Sequence, residues 1–168
     1  SCPMVDSGVV TKKPALETAS VLPTQPVGAV MVVGAGIGGI QASLDLAETG
    51  FKVYLVETSS AVGGRMAQLD KTFPTNDCAM CIVSPKLVGA GRHLNIELMT
   101  DTEVIDVTGA AGDFAVRLFR KPRYVDLAKC VGCGDCAQVC PVVLPDHFNE
   151  GLSVRRAAFR LYPQAVPN

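Results

Sequence analysis

The chain has 168 residues, a net charge of −1 and a composition that is 48% hydrophobic. That length suits one domain, or a domain with a fragment beside it, and supports a packed core. Lys and Arg form no long run, which argues against a nucleic-acid partner. The longest apolar stretch, residues 27–40, is interrupted by glycines and too short to span a membrane, and no charged-then-apolar leader opens the sequence. Seven cysteines is a high count. Four of them fall in one metal-ligand run, so a reducing cytoplasm is expected rather than a secreted disulfide framework.

Residues 1–28 carry Pro3, Pro14, Pro23 and Pro26 without an apolar period, and read as a flexible or draped arm in which Cys2 is a spare thiol. Ala29 to Val33 is a continuous apolar run that predicts a strand buried on both faces. Gly34-Ala35-Gly36-Ile37-Gly38-Gly39 follows, and a helix is expected from there to about Thr49, with Ile37, Ile40, Leu44 and Ala47 on one face and Gly50 as its left-handed stop. Lys52 to Glu57 predicts a second strand, parallel to the first. Residues 58–81 read mostly as loop. Ser84-Pro85 suggests the N-cap and first residue of a short helix. Ile96 to Thr100 suits a third parallel strand, and Glu103 to Val107 with Phe114 to Arg120 suit a hairpin around Gly109 and Gly112. Pro122 then breaks the pattern before the cysteine-rich segment. The fold class is α/β: a Rossmann-like, incomplete βαβ unit over 29–121, then a cysteine-rich segment over 122–168.

Gly34, Gly36 and Gly39 form G-x-G-x-x-G between a strand and a helix, and Glu57 lies 23 positions after Gly34, near the roughly 20 of a dinucleotide fingerprint. Gly34 makes the turn, Gly36 lets a pyrophosphate approach the backbone, and Gly39 lets helix and strand pack closely. The helix N-terminus offers N–H groups and partial positive charge to the phosphates. Glu57 can accept from a ribose and disfavours a 2′-phosphate, which speaks against NADP. A Glu closing the second strand followed by Gly63-Gly64-Arg65 resembles the FAD-binding half of glutathione-reductase-like flavoproteins. FAD is therefore the expected ligand, with NAD the alternative and a plain surface turn the bland reading of the glycine pair.

Cys130-x2-Cys133-x2-Cys136-x3-Cys140-Pro141 is the bacterial ferredoxin run for a [4Fe–4S] cluster. Gly132 and Gly134 sit where positive φ and sulfur-directed N–H groups are useful. Zinc usually takes separated cysteine pairs. In two-cluster ferredoxins the fourth cysteine of such a run serves the other cluster, so Cys130, Cys133 and Cys136 are expected to share one cube while Cys140 reaches toward a second. Cys78-Ala79-Met80-Cys81 is open to three readings: a redox dithiol, ligands of another cluster, or packed thiols. Asp77 beside Cys78 argues against an activated thiolate. His93 and His147 read as ordinary polar contacts.

The stretch from Gly63 to Cys81, together with Ser84-Pro85-Lys86-Leu87, Lys121-Pro122-Arg123-Tyr124-Val125-Asp126 and Pro163-Gln164-Ala165-Val166-Pro167, closely resembles the family of heterodisulfide reductase A subunits. The resemblance covers residues 29–168. It implies a cytoplasmic FAD and multi-cluster protein of anaerobes, with a thioredoxin-reductase-like flavin domain into which a ferredoxin domain is inserted. It further implies B- and C-like partner subunits, a hydrogenase or formate dehydrogenase-like donor, and electron bifurcation between ferredoxin and a disulfide. By that resemblance Gly34, Gly36, Gly39, Glu57, Gly64 and Arg65 contact FAD, and Cys130, Cys133 and Cys136 hold the cluster. Family members are several times longer, so autonomous bifurcation by these residues is not expected. Two competing readings are a non-catalytic iron–sulfur adaptor, which would hold no flavin, and an NAD(P)H-dependent flavin reductase, which would need a second dinucleotide fingerprint that this sequence lacks.

Overall fold

A computed structural model describes residues 28–167; the proline-rich arm and Cys2 lie outside the described residues. Strands β1 (Ala29–Val33), β2 (Lys52–Val56) and β3 (Ile96–Met99) form a parallel sheet in the order β1-β2-β3. Val30 pairs with Val53, which pairs with Ile96. Helices α1 (Ile37–Glu48) and α2 (Ala79–Arg92) are the two crossovers and pack on each other. Right-handed crossovers in a sheet of that order place both helices on one face. Ile40 and Ala47 of α1, Val53 and Leu55 of β2, and Val83 and Leu87 of α2 meet there as the buried core.

Two sequence expectations change. β1 is not buried on both faces: Ala29 is exposed and Val33 is 62% exposed. Among the described residues β2 takes the inner place and β1 is an edge strand. With both helices on one face, the strands alternate; Val53 and Leu55 point inward, while Lys52 and Tyr54 are half-buried and sit together, the ammonium 5.6 Å from the ring centre. The second change concerns α2. It begins at Ala79 rather than at Pro85, which lies inside the helix. Cys78 is the N-cap, its Sγ accepting the Cys81 N–H at 3.1 Å, so a sulfur supplies the cap that the sequence pattern assigns to Ser84. Pro85 lacks the N–H that would reach the Cys81 carbonyl, and its ring crowds that carbonyl.

Gly50 ends α1 at φ 97° as expected. Strands β4 (Thr102–Ala110) and β5 (Asp113–Arg120) form the hairpin, with Gly109 at φ 107° and Gly112 at φ 90° at its turn. Helix α3 (Asp135–Val139) and the antiparallel pair β6 (Val143–Pro145) and β7 (Val154–Arg156) make up the cysteine-rich lobe. No helix among the described residues is long and apolar enough to cross a membrane.

Candidate functional site

The glycine loop joins β1 to α1. Gly34 has φ 95°. A Cβ on Gly39 would lie 1.9 Å from the Gly34 carbonyl oxygen, so only glycine lets α1 sit this close to the strand end. Gly36 is the N-cap of α1 in extended backbone, and a Cβ there would meet nothing within 4 Å. The space above Gly36 is therefore open, as a pyrophosphate seat requires. Gly64, at φ 55°, lies against this loop: a Cβ on it would stand 2.9 Å from the Gly36 Cα. The Gly63 N–H donates to the Ala35 carbonyl at 2.8 Å. The two glycine motifs, which begin 29 positions apart at Gly34 and Gly63, thus form one surface.

Glu57 braces that surface. Its Oε2 accepts the Ala35 N–H at 2.8 Å, and its Oε1 accepts the Ser59 N–H and hydroxyl, both at 2.9 Å. Burial pushes its carboxyl up, but the N–H groups of Ser59 and Ala35 and the hydroxyls of Ser59 and Thr58 outweigh it and hold the group below its ordinary value. Glu57 therefore stays anionic and holds the glycine loop in place. Arg65 turns to the cysteine-rich lobe instead of the glycine loop. It is exposed, bonds Gln68 at 3.0 Å and pairs with Glu150 of that lobe.

Three further contacts bind this loop to the cysteine-rich lobe. The Gln68 amide donates to the Phe148 carbonyl at 2.7 Å, and the Val62 N–H donates to the Val166 carbonyl at 2.9 Å. The Tyr162 hydroxyl donates to the Val62 carbonyl, and its ring stacks on Phe148 with centres 5.3 Å apart. Burial pushes the Tyr162 phenol up to about 12.

Cys130, Cys133 and Cys136 line one cavity of about 440 Å³ between the lobe and the loops after β2 and β3. Gly132 (φ 68°) and Gly134 (φ 87°) adopt the left-handed backbone expected between the ligands. Cys140 is not among the residues lining that cavity. Hydrogen bonds at Ala158 first, then Val142 and Ala157, with the charge of Arg156, hold its thiol below the ordinary value. Arg123 reaches into the cavity wall. Its Nε donates to Asp101 at 3.0 Å, another nitrogen reaches the Ser60 carbonyl, and its third, Nη1, is buried without a partner.

Residues 29–117 match the family model described as FAD dependent oxidoreductase, and residues 121–142 match that described as 4Fe-4S binding domain. The chain belongs to the FAD dependent oxidoreductase family. Within it the chain is a member of the group of heterodisulfide reductase A subunits, as the sequence resemblance implies. The second A-type iron-sulfur subunit of the CoB–CoM heterodisulfide reductase of Methanopyrus kandleri is 50% identical, over 95% of this chain and 24% of its own length. The A-type subunit of the H(2)/formate:CoB-CoM heterodisulfide,ferredoxin reductase of Methanococcus maripaludis is 56% identical, over 82% of this chain and 21% of its own. The chain thus spans about a quarter of the length of these relatives.

FAD and a [4Fe–4S] cluster are the cofactors of this family, and the residues present fit both. The open face of Gly36 at the start of α1 suits a pyrophosphate. The cation of Arg123, which lines the same cavity as the three cysteines, suits an anionic cluster. Among the described residues no three thiols or carboxylates stand close enough to hold a single ion; a cluster instead takes each thiolate on a separate iron, so its ligands surround a cavity. When bound, FAD carries two electrons and the cluster passes one at a time.

The sequence does not mark Arg123 or Tyr162 as site residues. Arg123 lies in the Lys121–Asp126 stretch that carries the family resemblance, but nothing in that stretch assigns it a role. Tyr162 follows Phe159 by three residues and precedes Pro163, in no pattern that marks a site.

Proposed function

We propose that this chain is the FAD- and [4Fe–4S]-bearing electron-transfer part of a heterodisulfide-reductase-like complex. It relays electrons between a donor, ferredoxin and a disulfide-reducing partner, and in the longer proteins it takes part in bifurcation. The observation that carries this reading is the direct join between the two sites. Val62, the Gly63–Gly64 loop, Arg65 and Gln68 are tied to Phe148, Glu150, Tyr162 and Val166 of the cysteine-rich lobe. In this reading Gly34, Gly36, Gly39, Glu57 and Gly64 build the FAD seat, and Arg65 supports it through Glu150. Cys130, Cys133 and Cys136 hold the cluster, and Cys140 serves a neighbouring one. Residues 29–121 act as the flavin unit and 122–168 as the cluster unit.

The names of the relatives, which mention H2, formate, ferredoxin and the CoB–CoM heterodisulfide, support a hydrogenase or formate dehydrogenase-like donor and B- and C-like partner subunits. The test is photoreduction of the bound flavin in anaerobic protein, followed by EPR. A reduced-cluster signal that rises as flavin absorbance falls supports the relay; a cluster that stays oxidised beside fully reduced flavin refutes it. Anaerobic co-purification then reads out the partners.

Among the described residues β1 is an edge strand of the sheet, which favours a second reading, a non-catalytic iron–sulfur adaptor. It predicts iron and sulfide without flavin.

A further inference from the structure

We propose that Cys78 and Cys81 are a redox-active dithiol/disulfide, a two-electron couple served by dihydroflavin on the adjoining glycine loop. The inference rests on the flavin reading above and adds a site to it. The two cysteines are joined as a disulfide, with Cα atoms 5.2 Å apart. Both are exposed. A bridge across a sequence separation of 3 closes so short a loop that it constrains the unfolded chain least of all. It also has no buried partner to protect. It is therefore poorly suited to be a structural staple, and a C-x-x-C beside a βαβ unit is the arrangement of thiol redox centres.

The local geometry fits repeated opening and closing. Cys78 caps α2, a helix of 14 residues. The Cys81 N–H points at the Cys78 sulfur at 3.1 Å. An N–H donor and a helix N-terminus both favour a thiolate at Cys78 when the bridge is open, and they oppose the effect of Asp77 next to it. The preceding loop is fixed without the disulfide. The Thr72 N–H bonds the Asp77 carbonyl at 2.9 Å, the Asn76 N–H bonds the Thr72 carbonyl at 2.7 Å, and Lys71 and Cys78 form a β-bridge. Reduction therefore leaves both sulfurs in place.

The pair also adjoins the flavin loop. The 3₁₀ turn Gly64–Gln68 starts on Gly36 and packs on α2. Two residues on, the Asp70 carbonyl accepts the Ala79 N–H at 3.0 Å. Neither cysteine lines the cluster cavity. In the proposed step the S–S bond breaks as it takes up two electrons and two protons, giving two thiols, and the dihydroflavin supplying them becomes oxidised flavin. The reverse transfer closes the bridge.

The test uses the full chain, purified anaerobically, and the variant C78S/C81S, each with its flavin, iron and sulfide measured. In one arm the bound flavin is photoreduced stepwise and thiols are trapped with iodoacetamide for mass spectrometry. The expected result is that the Cys78–Cys81 peptide becomes doubly alkylated as the flavin reduces, and that the variant takes up two electrons fewer. Equal uptake by both proteins overturns the inference. Loss of iron in the variant also overturns it, since the cysteines would then be ligands. In the second arm both proteins are equilibrated in mixtures of reduced and oxidised dithiothreitol, which requires no flavin. Joint, reversible alkylation of the pair supports the couple, and a pair alkylated at every ratio overturns it. Absence of flavin would sink the flavin reading while this arm still decides the thiols. If the double variant fails to fold, the single change C81S gives the same readouts.

Discussion

Gly36→Ala separates binding from folding more cleanly than any other change at the glycine loop. The Gly36 backbone is extended, at φ −72° and ψ −179°, so alanine fits it without strain. A Cβ there touches nothing within 4 Å, so stability should stay within about 0.5 kcal/mol of the parent. The new methyl instead occupies the space that a pyrophosphate needs above the start of α1. Displacing the phosphate from one N–H costs about 1.5–3 kcal/mol for a hydrogen bond to a charged group, or roughly 10- to 100-fold in Kd. Gly39→Ala is the counterpart: its Cβ meets backbone at 1.9 Å. α1 must shift, at a cost of about 1–3 kcal/mol and roughly 2–4 °C in Tm per kcal/mol. The assay is FAD titration of the flavin-free proteins by fluorescence quenching, paired with thermal melts. Unchanged FAD affinity in a normally stable Gly36→Ala protein would refute the assignment of this loop as the phosphate seat.

Other outcomes follow from the contacts between the two sites. Arg123→Gln removes a largely buried cation from the cluster cavity, so the cluster's reduction potential should fall in an EPR-monitored titration while Arg123→Lys falls less; an unchanged potential would show that the guanidinium does not face the cluster. Cys133→Ser and Cys140→Ser should abolish different EPR signals, because of these two only Cys133 lines the cavity; loss of the same signal in both would make all four cysteines one ligand set. Tyr162→Phe leaves the Val62 carbonyl without its donor and should cost about 1–3 kcal/mol by denaturant melts. The same tyrosine sets a pH dependence. Its folded pKa of about 12 lies above the unfolded value of about 10. Its contribution is full below the unfolded pKa and is lost as pH rises through that window; Tyr162→Phe should flatten that part of the stability profile.

The local grammar of the flavin unit was legible in the sequence. The apolar run Ala29–Val33 is a strand with those bounds, the glycine spacing sets the turn into α1, and Gly50 ends it. These features depend on neighbours within a few residues. What escaped depends on distant ones. The apolar character of β1 suggested burial on both faces, yet a run of Val and Met does not say whether a further strand lies beside it. Ser84-Pro85 carries a strong helix-start signal, but the cap that forms uses a cysteine sulfur six residues upstream. The pairing of Arg65 with Glu150 spans 85 residues, beyond any local pattern. Arg123 gains its meaning only from Asp101, Ser60 and the cavity, which the fold brings together.

Joint binding of a flavin and an iron–sulfur cluster by one chain is tested most directly by releasing and identifying the flavin of the anaerobically purified chain while counting iron and acid-labile sulfide in the same sample. FAD together with iron and sulfide is the predicted result. Iron and sulfide without flavin, or zinc without sulfide, would contradict it.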